Sequence, residues 1–261
     1  MGYINWKNHG AAVVIVVIIL SILPMHAAWS WWQPTGQWHW DIQLTGELNL
    51  DPRADAVDVD VFDTPIETIQ ALKAQGVKVI CYLSAGSFED WRPDASQFPE
   101  SVKGSSNGWA GENWLDIRQT KILKPIMSAR MDLAVEKGCD AIDADNVDGF
   151  TNDTGFPLKA SQQLTYNRML ANLAHTRELA IGLKNDLLQT RQLVSTFDFA
   201  INESCLAYDE CDLLQPFTTV GKPVLAIDYD NGTEICEAAN ALGFSLILKD
   251  DLLSMPGTSC F

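Results

Sequence analysis

An α/β chain folded as a single (β/α)8 TIM-like barrel, preceded by an N-terminal hydrophobic export segment, is what this sequence predicts. Strand-like and helix-like segments alternate along it, which implies a parallel sheet with crossover helices. Eight strand candidates spread over about 230 residues, close to the size of a closed barrel. No repeat of about 20–50 residues and no long low-complexity linker divides the 261 residues. The competing arrangement, a doubly wound open sheet, would bring a Gly-rich nucleotide turn, and GxGxxG is absent.

The elements follow in order. Residues 11–23, AAVVIVVIILSIL, are an uncharged apolar run behind Lys7, as in the core of a secretory signal. Met25 or His26 stands where a cleavage site prefers a small residue. The run is shorter than the roughly 20 residues of a membrane span. Extension through Ala28 into WSWW approaches that length, with tryptophans at the interface. Residues 1–28 are therefore expected to be a signal peptide or membrane anchor, and 29–261 the barrel domain. WHWDIQL (38–44) and VDVDVFD (57–63) alternate as strands do. The link between them, TGELNLDPRADA, is too short for a full helix, a departure from the ideal barrel. Thr64 as N-cap and Pro65 at N1 open a helix over PIETIQALKAQ that Gly76 ends. KVICYLSAG (78–86) is an apolar strand, and 87–118 a long polar, aromatic loop. A helix over ILKPIMSARMDLAVEKG carries Pro125 in its first turns and stops at Gly138. CDAIDADN is a strand, ASQQLTYNRMLANLAHTRELA a helix, and IGLKN, FDFAINES and PVLAIDYD further strands, with a short helix at 186–193. GTEICEAANALG is the last helix and FSLILKD the last strand.

The composition, 47% hydrophobic, supports a full core. A formal net charge of −16 repels nucleic acid and anionic membrane surfaces and attracts cationic partners, although acidity also serves solubility alone. Membrane contact is expected only through the N-terminal segment. Six cysteines in an exported chain point to disulfides. Cys205 and Cys211 are placed to close a short loop, and Cys236 and Cys260 to tie down the C-terminus. Cys81 and Cys139 lie in strand-like segments and are expected as buried thiols. Sequons occur at Asn152, Asn202 and Asn231.

Barrel chemistry sits where strands end. The strand ends here are Asp60 and Asp63, Ser84, Asp143 and Asp145, Lys184 and Asn185, Asn202 and Glu203, and Asp228 and Asp230. Polar endings on so many strands are hard to ascribe to solvation alone. A calcium loop does not fit DADNVDG: with Asp143 first, position six is Asp148 rather than Gly, and with Gly149 sixth, position one is Ala144. Strand period puts Asp143 and Asp145 on one face, into the barrel, and Ile142 and Ala144 on the other. Asp143 then either holds a lysine or backbone amides, or meets a ligand directly. Asp145 lies nearer the mouth, Glu203 ends a nearby strand, and Lys184 ends the strand between them. Two carboxylates facing across a mouth, with a cation keeping one ionised, suit glycoside hydrolysis. Metal-dependent or Ser-His-Asp hydrolysis lacks histidines in place: His9 and His26 lie in the export segment, His175 lies mid-helix and His39 at the wrong end of a strand, and GxSxG is missing. No metal or cofactor is expected.

WDIQLTGELN, VDVFDT, VICYLSAGSFEDWRPD, WLDIR, DADNVDGF, IGLKND and INESCLAYDECD occur in this order. Together they resemble the glycoside hydrolase family 114 domain, the endo-α-1,4-polygalactosaminidases, from about Trp38 to Lys249. The resemblance implies a (β/α)8-like barrel that cleaves α-1,4-linked galactosamine polymers. It implies Asp145 and Glu203 as the catalytic pair, to which we assign the roles of nucleophile and general acid/base, and it supports the Cys205–Cys211 disulfide. The expected partner is a cationic galactosamine-containing polysaccharide, met outside the cell by a secreted or surface protein. Its expected contacts are Asp60, Tyr82, Asp143, Asn146, Asp148, Lys184, Asn202, Tyr208, Asp228 and Tyr229, with Tyr82, Tyr208 and Tyr229 as sugar-stacking rings and Trp114 rather packed beneath a loop. Asn202 neighbours the expected acid and should carry no glycan. Two rivals keep the barrel: a non-catalytic binder of cationic polysaccharide, and a glycosidase for another sugar.

Overall fold

The computed structural model describes residues 2, 30–48, 53–229, 232–254 and 256–260; the apolar export run and the Asn231 sequon lie outside them. The chain runs through β1 (Trp40–Gln43), β2 (Ala56–Asp60), α1 (Ile66–Ala74) and β3 (Lys78–Ser84). An insert follows, with β4 (Ser87–Glu89), β5 (Lys103–Ser106) and β6 (Glu112–Leu115). Then come α2 (Thr120–Lys137), β7 (Ala141–Asp145), α3 (Ala160–His175), β8 (Ala180–Lys184), α4 (Thr190–Leu193) and β9 (Phe199–Glu203). α5 (Gln215–Thr219), β10 (Val224–Asp228), α6 (Cys236–Ala241), β11 (Ser245–Leu248) and β12 (Thr258–Ser259) complete it.

The eight expected strands form one parallel sheet in the order β1-β2-β3-β7-β8-β9-β10-β11, and β12 adds antiparallel to β11. Side chains bring the edges of this nearly closed barrel together. Trp40 Nε1 donates to the Ser245 carbonyl (2.8 Å), and Lys249 Nζ pairs with Asp41 (3.0 Å). Alternation assigns the faces. Ala56, Ile80, Ala141, Phe199 and Ile227 fill the barrel interior, while Val57, Cys81, Ile142, Ala144 and Ala200 meet the helices. Gly182 on β8 permits this interior, because a Cβ there would lie 2.5 Å from the Phe199 ring. Trp32 packs on Phe199 (6.1 Å) and on Trp38 (5.0 Å). The N-terminal ends of the strands are thereby plugged with aromatic rings, and the opposite ends stay open.

Three expectations are corrected. Residues 87–118 contain an antiparallel sheet, β4-β6-β5, that packs as a flap beside the mouth; its strands are short and its register shifts between Lys103 and Ser106, so no clean alternation betrays it. Cys81 and Cys139 are disulfide-bonded, because Cys139 lies two residues before β7, the neighbour of β3, and their Cα atoms come within 6.0 Å. Cys205–Cys211 and Cys236–Cys260 are bonded as well. Pro65, not Thr64, is the N-cap of α1: its carbonyl accepts from the Thr68 and Ile69 amides.

Candidate active site

Three adjacent strands, β7, β8 and β9, end in Asp145, Lys184 and Glu203. The residue after each, Asn146, Asn185 and Ser204, has a positive φ of 61°, 53° and 61°. Left-handed backbone is uncommon for non-glycine residues, though asparagine takes it most readily. One residue therefore turns the chain off each strand and leaves the last side chain at the mouth. Gly86, after β3, lets the Asn146 turn approach, since a Cβ there would lie 1.6 Å from the Asn146 carbonyl oxygen.

Lys184, 2% exposed, is the centre of the site. Its Nζ lies 3.3 Å from Asp143 Oδ2, 3.7 Å from Asp145 Oδ1 and 3.8 Å from Glu203 Oε2. Burial alone would lower its pKa, but Asp143, Asp145, Glu203 and Asp58 outweigh that and hold it well above the usual lysine value. One cation thus bridges the two expected catalytic carboxylates from below.

Each of these carboxylates is held by donors. Asp145 Oδ2 accepts from the Tyr82 hydroxyl (3.0 Å) and the Asn146 amide side chain (3.3 Å), and Oδ1 from the Asn146 backbone N–H (2.8 Å). Glu203 Oε1 accepts from the Tyr229 hydroxyl, and Oε2 from Asn185 Nδ2 (2.7 Å). Asn185 Oδ1 in turn accepts from the Glu203 backbone N–H (2.9 Å), which locks side chain to main chain. Burial pushes the Glu203 pKa up, but Lys184, Tyr229 and Asn185 together leave it lowered. Tyr82 and Tyr229, expected as stacking rings, are therefore also hydroxyl donors. Their own pKa values are raised by burial and by the neighbouring carboxylates.

These groups open into a cleft of about 450 Å³. Asp60, Tyr82, Asn146, Asp148, Lys184 and Tyr229 line it with Asp145 and Glu203. Among the described residues, eight acidic and two basic side chains face it. Burial and the Asp145 charge raise Asp148 to about 6. Asp60 is bound by both Arg92 terminal nitrogens (3.0 and 2.6 Å), so its charge is largely committed.

Four expected contacts lie elsewhere. Asp143 is fully buried one layer beneath the mouth. Asp228 shares the outward face of Val224 and Ala226, because the inward residue at that strand end is the next one, Tyr229. Asn202 likewise faces outward with Ala200 and is buried, donating to Asn185 Oδ1 (3.2 Å) and accepting from the Cys205 N–H (3.1 Å). Tyr208 is 73% exposed on the loop after β9 and does not line the cleft. Conversely, Asn185, expected only as a polar strand end, lines it, as do Trp91, Trp109, Glu89, Arg92 and Glu112, on which no expectation fell. Asn185 carried a signal, a polar residue turning directly off a strand; the insert residues carried none, because nothing local folds 87–118 over the mouth. Among the described residues no group of three His, Cys, Asp or Glu is arranged to hold a metal ion.

A family model, glycoside-hydrolase family GH114, matches residues 22–261. The structure of Aspergillus fumigatus Ega3 in complex with galactosamine is similar at TM-score 0.82 and 37% identity, covering 88% of this chain and 97% of that one. The glycoside hydrolase domain of PelA from Pseudomonas aeruginosa is similar at TM-score 0.66 and 17% identity, over 84% and 97%. The trehalulose synthase MutB from Pseudomonas mesoacidophila shares the barrel fold at TM-score 0.53 and 9% identity, over 75% and 57%. Comparison with curated proteins finds no match.

Proposed function

The chain belongs to glycoside-hydrolase family GH114, and from that premise we propose that it is an exported endo-acting hydrolase of α-1,4-linked galactosamine polymers, with Asp145 as nucleophile and Glu203 as general acid/base. The observation that carries this reading is one buried lysine, Lys184, shared by two mouth carboxylates, 3.7 and 3.8 Å away. Asp145 attacks the anomeric carbon while Glu203 protonates the departing glycosidic oxygen; Glu203 then takes a proton from the water that releases the sugar. Three donated hydrogen bonds fix the aim of Asp145. Glu203 needs its proton only when substrate is bound. A sugar lying over it removes its remaining water and strengthens burial, already the largest influence on it and an upward one. Lys184 stays cationic throughout and compensates the carboxylate left charged.

Several observations support the substrate class. The acidic cleft suits an ammonium-bearing polymer, with attraction that salt screens. A relative 37% identical to this chain holds galactosamine. A second depression of about 660 Å³ adjoins the cleft and shares Leu44, Thr45, Asp60 and Asp63 with it, giving a long groove suited to a chain rather than to a terminus alone. Three disulfides suit an oxidising compartment, reached through the export segment at residues 1–28.

The test is product analysis by mass spectrometry on deacetylated and acetylated galactosamine polymers, with the anomer of the first product read by NMR. Internal cleavage of the deacetylated polymer with retention of the α configuration is expected. Binding without release of oligosaccharide would leave a non-catalytic binder in its place.

A further inference from the structure

We infer that Asp58 is held as a neutral carboxylic acid that donates its proton to Asp143, and that this bond sets the position of Lys184 beneath Asp145 and Glu203. Asp58 lies on β2, on the inward face of Ala56 and Asp60, paired in register with Ile42 and Ile80. It is 0% exposed, as is Asp143. Neither Asp58 carboxyl oxygen, nor Asp143 Oδ1, meets a hydrogen-bond donor from the rest of the protein. The two carboxyls are within hydrogen-bond reach of each other. Two carboxylates so placed would repel in a dry interior; a carboxyl and a carboxylate satisfy one another with one proton.

The surroundings say which of the two keeps it. Asp143 Oδ2 bonds the Lys184 ammonium at 3.3 Å, which favours the anion there. Asp58 has no cation in hydrogen-bond contact. The charged groups that act on it are Asp143 and Asp145 from β7 and Lys184 from β8, two anions against one cation. Burial and the Asp143 charge both raise its pKa, with Lys184 opposing. The proton therefore stays on Asp58. Asp143 divides its two oxygens, one for the acid below and one for the lysine. Without that acid, Asp143 would offer both oxygens to Lys184 and draw the ammonium away from the mouth. Asp58 thus acts as a positioning residue, two contacts removed from the substrate.

The kinetic consequence rests on the hydrolysis proposed above; the spectroscopic one does not. In the infrared difference spectrum of the whole protein at pH 7, wild type minus Asp58→Asn, a protonated-carboxyl band should be lost from the variant. Other protonated acids, such as Asp186, are common to both proteins and cancel. Asp58→Asn still donates to Asp143, so it should retain wild-type turnover within about twofold and an unmoved pH–rate profile. Asp58→Leu donates nothing. Its kcat should fall about ten- to a hundredfold, the scale of a small misplacement of a catalytic group, with KM little changed. Its profile should move to higher pH, since Lys184 helps to lower Glu203. No lost band, or an Asp58→Asn profile displaced from wild type, would show an ionised Asp58 and overturn the inference. Wild-type kinetics in Asp58→Leu would remove the positioning role. Absence of polymer cleavage by wild type would sink the hydrolysis reading while the band still decided whether the Asp58–Asp143 pair holds a proton.

Discussion

Two clusters of buried charge lie close together in this barrel and are built on opposite plans. Beside β3, Arg92 and Arg130 are saturated. Arg92 forks onto Asp60 at 3.0 and 2.6 Å and onto Glu89 at 2.8 Å; Arg130 forks onto Asp94 at 2.8 and 2.9 Å and donates to the Ser84 carbonyl at 2.6 Å. At the mouth, Lys184 has three carboxylates within 4 Å, yet only Asp143 is at hydrogen-bond distance. Planar guanidinium forks suit fixed bidentate pairing, whereas a lysine is a compact charge on a flexible stem. The difference separates structure from chemistry. The arginine cluster spends its donors on fixing the 87–118 insert against the barrel. The lysine cluster leaves charge uncommitted, available to carboxylates whose own charge changes during reaction.

The comparison breaks most clearly at the mouth. Asp145→Asn and Glu203→Gln should each lower turnover by about 10²–10⁴-fold or more. Thermal unfolding should move far less than turnover, with Glu203→Gln losing some stability, because Lys184, Tyr229 and Asn185 favour its ionised form. Near wild-type turnover in either variant would end the assignment. In the other cluster the readouts reverse. Arg92→Met strands Asp60 and Glu89 in a buried site, and urea unfolding should show a loss of about 3–5 kcal/mol. A variant as stable as wild type would mean that the arginine cluster is not the structural member of the pair.

Much of the barrel was legible because short apolar runs ending in polar residues recur between helical segments, and strand parity then assigns their faces. β7 places Ile142 and Ala144 outward and Asp143 inward, as its sequence pattern requires. The same parity, applied one residue further, separates inward Tyr229 from outward Asp228, although both end the strand. Lys184 between Asp145 and Glu203 was legible from strand order alone. The Tyr82 and Tyr229 hydroxyl bonds were not, since a hydroxyl's direction depends on side chains from other strands. Nor was the insert legible: its place over the mouth depends on long-range contacts such as Arg92 to Asp60. Asp58 escaped because its strand begins VDVDV, where a buried and an exposed aspartate look alike.

A second acidic pair beside the mouth sharpens the contrast through pH. Asp186 accepts from Asn167 Nδ2 at 2.8 Å, while its other oxygen is buried without a partner. Burial and the Asp148 charge raise its pKa to about 8. An unfolded chain releases that proton near pH 4. Between about pH 4 and about pH 8 the folded state therefore holds a proton that the unfolded state lacks, and stability falls as pH rises. Asp186→Asn cannot ionise and keeps a donor for the unpartnered side. Its urea midpoint should gain on wild type progressively from pH 5 to pH 8 and then level off. A difference independent of pH across that window would mean that Asp186 is ionised in the fold.

The smallest expected effect lies at the rim, where the Arg92 guanidinium reaches the Trp91 ring at 5.8 Å. Trp91 and Trp109 line the cleft from the insert, yet are 50% and 59% exposed. Aromatic rings of that size left open to water beside an acidic groove are suited to sugar faces and to the ammonium groups an amino-sugar polymer carries. Exposed cation–π contacts contribute about 0.5–1 kcal/mol, so Trp91→Ala or Trp109→Ala should raise KM for the polymer about two- to fivefold. kcat should hold, because neither ring touches Asp145, Glu203 or Lys184 through any hydrogen bond. Oligosaccharides too short to reach the insert should show no change. An equal KM change on short and long substrates would mean instead that the rings act by shaping the mouth, which would tie the insert to catalysis and blur the division between the saturated cluster that holds it and the unsaturated one that reacts.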